Sequence, residues 1–220
     1  MIRYPVITLS REYGTNARGV AEVVAARLAL PIYDRQILSW AAEAAGVPEE
    51  VIVAAEHDHG FLGRLFEGFS QCAELPADAL LGYKGAPAPR LFPPARVREL
   101  VAEVVERIAA AGSAVIVGHA AQLILRGRPD VLSVFLHAPR EERVRRLIVS
   151  RGLSRAEAER RVDNSDHERT AFFHRIYHRN RYDLRGYDLT LNVTGKTSEE
   201  VAEPIVTAAR QASVRLGAVI

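Results

Sequence analysis

Short apolar runs alternate with amphipathic stretches along this chain. Residues 5–10 (PVITLS) form a β-branched run that stops at a charged, glycine-containing loop, residues 11–19 (REYGTNARG), and they predict a buried strand. Beyond the loop, Val20, Val23, Val24 and Leu28 recur at helical spacing, which predicts a helix over 19–29. Residues 30–34 (LPIYD) predict a second short strand, and residues 35–45 (RQILSWAAEAA) a helix ended by Gly46. The pattern then lapses. Residues 47–92 carry scattered aromatics with no sustained period and run into GYKGAPAPRLFPP, so an inserted lobe is expected there, short helices first and a mobile loop last. Order resumes with an amphipathic helix over 95–111, whose Val97, Leu100, Val101, Val104, Val105 and Ile108 share one face. Strands at 114–118 (AVIVG) and 131–138 (VLSVFLHA) follow, with a short helix at 120–126 and a longer one at 139–151. Ser154 with Glu157 predicts a capped helix, residues 188–193 (DLTLNV) the last strand, and Thr197 with Glu200 the cap of the final helix.

Strands that are apolar throughout belong to a sheet covered on both faces. The expected architecture is therefore a single α/β domain over 1–220. It has a doubly wound, mainly parallel five-stranded sheet, an inserted helical lobe at about 47–92 and a helical lid at about 152–182. Composition narrows the function without choosing it. With 48% hydrophobic and 25% charged residues the chain is globular in character, and no apolar run reaches the roughly 18–20 residues of a membrane span. The first ten residues lack a secretory cleavage pattern, which together with a lone cysteine, Cys72, points to a cytoplasmic protein without disulfides. A net charge of +2 disfavours a nucleic-acid partner; a second copy of the chain remains open as one. Of the 29 basic residues, only Lys84 and Lys196 are lysine. Base composition accounts for most of that bias, yet it leaves any lysine-dependent chemistry two candidates.

The first strand-to-helix loop of a doubly wound sheet is where backbone N–H groups and a helix N-terminus converge on phosphate. Here it has the length of a P-loop but departs from G-x-x-x-x-G-K-[ST]: Arg11 stands at the first glycine, Gly14 keeps an internal one, Ala17 falls where the lysine belongs, and Arg18 comes one residue late. A guanidinium at Arg18 would bring a planar fork in place of a point charge.

Read as a whole, the chain resembles the cytidylate kinase-like branch of the nucleoside monophosphate kinases. The likeness rests on ITLSREYGTNARG followed by PIYDRQIL, on AVIVGHAAQLILRG, on VLSVFLHAPREERVRRL, and on Asp166-x-x-Arg169 before YDLTLN, in that order. It covers most of the chain outside the inserted lobe. The resemblance implies a P-loop kinase fold with ATP phosphates on Gly14, Thr15, Asn16, Ala17, Arg18 and Gly19, an acceptor lobe, and a lid bearing arginines. Residues 140–181 hold twelve arginines against seven carboxylates, in keeping with such a lid. On that basis Arg18, Arg161 and Arg169 are the expected catalytic cations, with Arg175 and Arg179 behind them. Many of these arginines also have ordinary i,i+4 partners, such as Glu142 with Arg146 and Glu157 with Arg161.

The departures from the family pattern matter as much. Where cytidylate kinases have Gly-Arg-Asp after the third strand, this chain has Gly118-His119-Ala120, so His119 is a phosphate ligand only when protonated. The Asp-Ser-Gly-Ala of the acceptor side is here Asp34-Arg35-Gln36-Ile37, which limits carry-over to Asp34, with Arg35 beside it for the acceptor phosphate. Mg2+ with ATP is the expected cofactor, on Thr15 and Asp34, with Ser10 behind them. His57-Asp58-His59 is expected to be a solvated turn, Phe172 and Phe173 core, and Trp40 packing behind Asp34. His167, His174 and His178 share a helical stripe and read as charge partners. The leading expectation is ATP-dependent phosphoryl transfer to a nucleoside monophosphate. A nucleotide-binding protein that has lost the chemistry, and a kinase for a non-nucleotide small molecule, are its rivals.

Overall fold

The computed structural model of the protein describes residues 6–57 and 94–217. Most of the expected inserted lobe, with Asp58, His59, Cys72 and Lys84, lies outside the described residues. Five strands form one sheet: β1 (Val6–Arg11), β2 (Ile32–Tyr33), β3 (Val115–Val117), β4 (Val131–His137) and β5 (Leu189–Asn192). Their order is β2-β3-β1-β4-β5, and every neighbouring pair is parallel. β1, buried at five of its six positions, takes the centre, with Leu9 in register with Val117 on one side and Val134 on the other. Parallel strands need crossovers, and the helices supply them on both faces. The elements between and after the strands are α1 (Ala17–Leu28), α2 (Gln36–Ala45), α3 (Glu49–His57), α4 (Pro94–Ala111), α5 (Ala121–Ile124), α6 (Arg140–Arg151), α7 (Arg155–Tyr177) and α8 (Ser198–Gly217).

Alternate side chains of the strands feed two cores. Ile7, Leu9, Val115 and Val134 pack with Val20, Val24 and Leu28 of α1 and with Val201 and Ile205 of α8. On the opposite face Val6 and Ile116 pack with Ile37 and Ala41 of α2 and with Leu100, Val101, Val104 and Val105 of α4. A third, small cluster of Val144, Leu147, Ala158 and Val162 joins α6 to α7, with Tyr13 against it. Both expected caps form: Ser154 Oγ accepts the Glu157 N–H, and Thr197 and Glu200 exchange hydrogen bonds reciprocally. Among the described residues, no helix is long and apolar enough to cross a membrane.

Two expectations need correction. Trp40 is not buried behind the Asp34 strand: it is 41% exposed and only leans on the Tyr33 ring, at 5.7 Å between centroids. The strand before Asp34 is the short edge β2, which cannot cover the indole of Trp40 on α2. Phe172 and Phe173 are half-buried and line a pocket, because their stretch of α7 crosses the mouth of the sheet and does not lie on a core.

The end of α1 carries a testable strain. Ala29 adopts φ 52°, ψ 45°, and Leu30 N–H reaches the Ala25 carbonyl at 2.9 Å in a Schellman closure. An L-residue loses roughly 1–2 kcal/mol in that conformation, and glycine would escape it at an entropic cost of roughly 0.5–1 kcal/mol. Ala29→Gly is therefore expected to raise the unfolding free energy by about 0.5–1 kcal/mol, read by urea denaturation; a loss of stability would refute the account.

Candidate active site

The loop after β1 is built from both sides. Glu12, one of the charged residues of this loop, is only 7% exposed. Its carboxylate accepts the Ala138 N–H at 3.0 Å and stands 3.4 Å from Arg143 Nε, which ties β1 to the turn after β4. Gly14 has φ 88°, and a Cβ there would lie 3.0 Å from the Cβ and carbonyl oxygen of Arg143, so a side chain would be both strained and crowded. Arg143 Nη1 and Arg146 Nη1, both on α6, donate at 3.5 Å to the carbonyls of Tyr13 and Thr15. In a trans peptide the N–H points opposite the carbonyl. Pinning these two carbonyls toward α6 therefore aims the N–H groups of Gly14 and Asn16 the other way. Asn16 is left-handed (φ 56°) and hydrogen-bonds Ser198, and the first-turn N–H groups of the twelve-residue α1 follow it with no intrahelical partner. The result is an amide-lined concavity suited to an anion.

Beside this loop, at the C-terminal edge of the sheet, a pocket of about 320 Å³ opens on the α2 face. Asp34 and Arg35 come from the end of β2, His119 from the end of β3, Ser10 and Arg11 from β1, Phe135 from β4, and Gln122 from α5. Arg169, Phe172 and Phe173 of α7 roof it, and Arg181 and Tyr187 close the far side. Arg11 Nη2 and His119 Nε2 each stand 3.8 Å from Asp34 Oδ1. Burial by itself would raise the Asp34 pKa, but hydrogen bonding from His119 and the charges of Arg11, His119 and Arg18 outweigh it and hold the carboxyl below its ordinary value. His119 reaches this position through three consecutive positive φ angles, at Gly118, His119 and Ala120. The two non-glycine members each cost on the order of 1–3 kcal/mol.

At the far side, Arg181 is 4% exposed. Its Nη1 donates to the Asp166 carbonyl at 3.3 Å and its guanidinium lies 4.7 Å from the Tyr182 ring centroid. Its Nη2 has no hydrogen-bond partner among the described residues, nor has Gln122 Oε1, whose amide nitrogen donates to Tyr187 at 3.2 Å. Burial raises the Tyr187 pKa against the opposing influence of Ser10, Arg181 and Gln122, so its hydroxyl stays protonated near neutral pH. Two buried polar atoms left open on the wall of one pocket are what a bound ligand would satisfy.

Not every expected site residue gathers here. Asp34, Arg35, His119 and Arg169 do. Arg18 is not part of the lining: it pairs with Glu22 at 3.0 Å with its side chain 75% exposed, and reaches Asp34 only through its charge. Arg161 likewise pairs with Glu157, one turn back on α7 and outside the lining. Gly14, Thr15, Asn16, Ala17 and Gly19 form the amide loop and do not line the pocket. The Thr15 hydroxyl is 1% exposed as a residue and donates to the Glu12 carbonyl at 2.8 Å, away from Asp34, so these two are not brought together as metal ligands. Among the described residues, no three His, Cys, Asp or Glu side chains cluster as a metal centre. Arg11, Gln122, Arg181 and Tyr187 carry no periodic signature; Gln122 alone could have been noticed, as a polar residue inside an apolar helix.

Residues 6–195 match the cytidylate kinase-like family. Among curated proteins, none matches the chain significantly. Among solved structures, an uncharacterized protein from Eubacterium ventriosum ATCC 27560 is similar at a TM-score of 0.64 and 18% identity, covering 95% of this chain and 99% of its own. A gluconokinase from Sinorhizobium meliloti 1021 is similar at a TM-score of 0.52 and 14% identity, covering 97% of both chains. At such identities the likeness is one of fold, and that fold is the P-loop kinase type. Since the family match takes in the sheet, the amide loop and the pocket together, the chain belongs to the cytidylate kinase-like family.

Proposed function

We propose that this protein transfers the terminal phosphoryl group of ATP to a nucleoside monophosphate, in the manner of a cytidylate kinase. The observation that carries this reading is the pocket beside the amide loop, where Arg11, Arg35, Arg169 and Arg181 surround Asp34 and His119. Phosphoryl transfer asks a protein mainly for positioning and for fixed positive charge around the transferred group. The amides of residues 14–19 would hold the donor phosphates. Arg169, on the roof, would face the transferring group, and Arg35 with Arg181 would hold the acceptor's anionic oxygens. Mg2+ bound with ATP would neutralise phosphate charge, with Asp34 and Ser10 as its protein ligands. Family membership supports a kinase; the nucleotide acceptor rests on the resemblance of the motifs.

A coupled assay with ATP, Mg2+ and CMP, dCMP, UMP or AMP is expected to show turnover with at least one pyrimidine nucleotide. Turnover with no acceptor above a blank would overturn the proposal. A second reading, nucleotide binding without transfer, draws on the missing loop lysine and on the pairing of Arg18 with Glu22. Thermal stabilisation by ATP without turnover would favour it.

A further inference from the structure

We propose that Arg11 is the cation that meets the terminal phosphoryl group of the bound nucleoside triphosphate, and that Gly118 is glycine so that its guanidinium can lie there. The inference rests on the phosphoryl-transfer reading above and supplies what the loop sequence lacks. Among the described residues the one lysine, Lys196, lies between β5 and α8, where its carbonyl accepts from Arg146 at 3.2 Å. Three other arginines near the loop are engaged elsewhere. Arg18 is on Glu22, Arg143 is held between Glu12 and Asp166, and Arg146 is on Glu142 and on the carbonyls of Val193 and Lys196.

Arg11 is the last residue of the central strand, so its backbone begins the amide loop while its side chain lines the acceptor pocket. It therefore sits where donor and acceptor must meet. Its guanidinium crosses the end of β3 so closely that a Cβ on Gly118 would stand 2.0 Å from Nη1. That is far inside contact distance, and Gly118 also has φ 88°. Asp34 and Arg169 help to fix the geometry. Asp34 faces the guanidinium at 3.8 Å, and Arg169 Nη1 donates to the Arg11 carbonyl at 2.8 Å, linking the roof to the strand end. A guanidinium carries five donors in one plane, so it can meet Asp34 along one edge and phosphoryl oxygens along another. The ligand class is a terminal, multiply charged phosphoryl group, which ATP has at this place and ADP does not.

The test is calorimetric titration of the full chain with ATP and with ADP, each with Mg2+, for wild type, Arg11→Ala, Arg11→Lys and Gly118→Ala. Arg11→Ala is expected to weaken ATP by about tenfold or more, as loss of a charge-assisted contact does, while ADP changes by less than about threefold; Arg11→Lys falls between. Gly118→Ala, if it folds, is expected to reproduce the selective loss with Arg11 still present. If it does not fold, the two Arg11 variants decide between the outcomes. Equal losses for ATP and ADP, or none, would overturn the role of Arg11 and leave the kinase reading intact. A wild-type chain that binds neither nucleotide would overturn the reading itself, and the proposal with it.

Discussion

Replacing Asp166 by alanine is expected to lower the unfolding free energy by about 3 kcal/mol, the lower end of the range for breaking a buried ion pair. Asp166 on α7 takes both guanidinium nitrogens of Arg143, at 3.1 and 2.8 Å, and stands 3.7 Å from Arg181. The two arginine side chains are 5% and 3% exposed, so neither can recover hydration when the carboxylate goes. Arg143 keeps Glu12 and the Ala138 carbonyl, and Asp166 itself is 23% exposed, which places the loss at the lower end. Asp166→Asn retains one acceptor and is expected to cost roughly half as much. The measurement is chemical denaturation at low and high salt. Because the pairs are buried, the deficit should persist at 1 M salt, where the Debye length is roughly 3 Å. A deficit that vanishes with salt, or one near zero, would show that α7 is held by its apolar contacts alone.

Arg169→Ala is expected to reduce kcat by about 10²–10³-fold with little change in stability, the usual consequence of removing one preorganised donor from a developing charge. Arg169 lines the pocket from the roof while donating to the Arg11 carbonyl at 2.8 Å, and on the proposed function its guanidinium would stand beside the transferring group. Arg169→Lys restores the charge without the fork and should recover part of the rate. Arg161→Ala serves as the internal comparison. It bonds Glu157 on the same helix and Tyr13 at the edge of the loop and lies outside the pocket, so its effect on kcat should stay within about threefold. An Arg161→Ala loss equal to that of Arg169→Ala would mean that α7 swings much further over the loop than it does here.

The architecture was open to reading because its physical signals are local. A β-branched run bounded by a charged loop can only be a covered strand, and helical spacing of valine and leucine names the face that turns inward. Ser154 with Glu157 and Thr197 with Glu200 cap helices through bonds that span three residues, so their spacing alone announced them. The site was legible only in part. Asp34, Arg35 and His119 each end or follow a parallel strand, and the C-terminal ends of such strands converge by topology. The amide loop was legible for the same reason, by its place after the first strand.

Other roles were decided by contacts between residues far apart in the chain. Glu12 reads as a surface charge until the fold sets the Ala138 amide and Arg143 against it. Arg18 and Arg161 had the right type and rough position, but each sits one turn from a glutamate on its own helix, and the direction of a helix face relative to the pocket is not written in one helix. Phe172 and Phe173 have core spacing, yet α7 crosses the mouth of the sheet, so they roof a pocket. What the chain determined by itself was the doubly wound sheet, the amide loop after β1, and a shortage of lysine that leaves the proposed phosphate chemistry to arginine or to nothing. Only the tertiary structure decided which arginines share a pocket: Arg11, Arg35, Arg169 and Arg181 come from four separate segments, and long-range packing, not sequence spacing, brings them to one space.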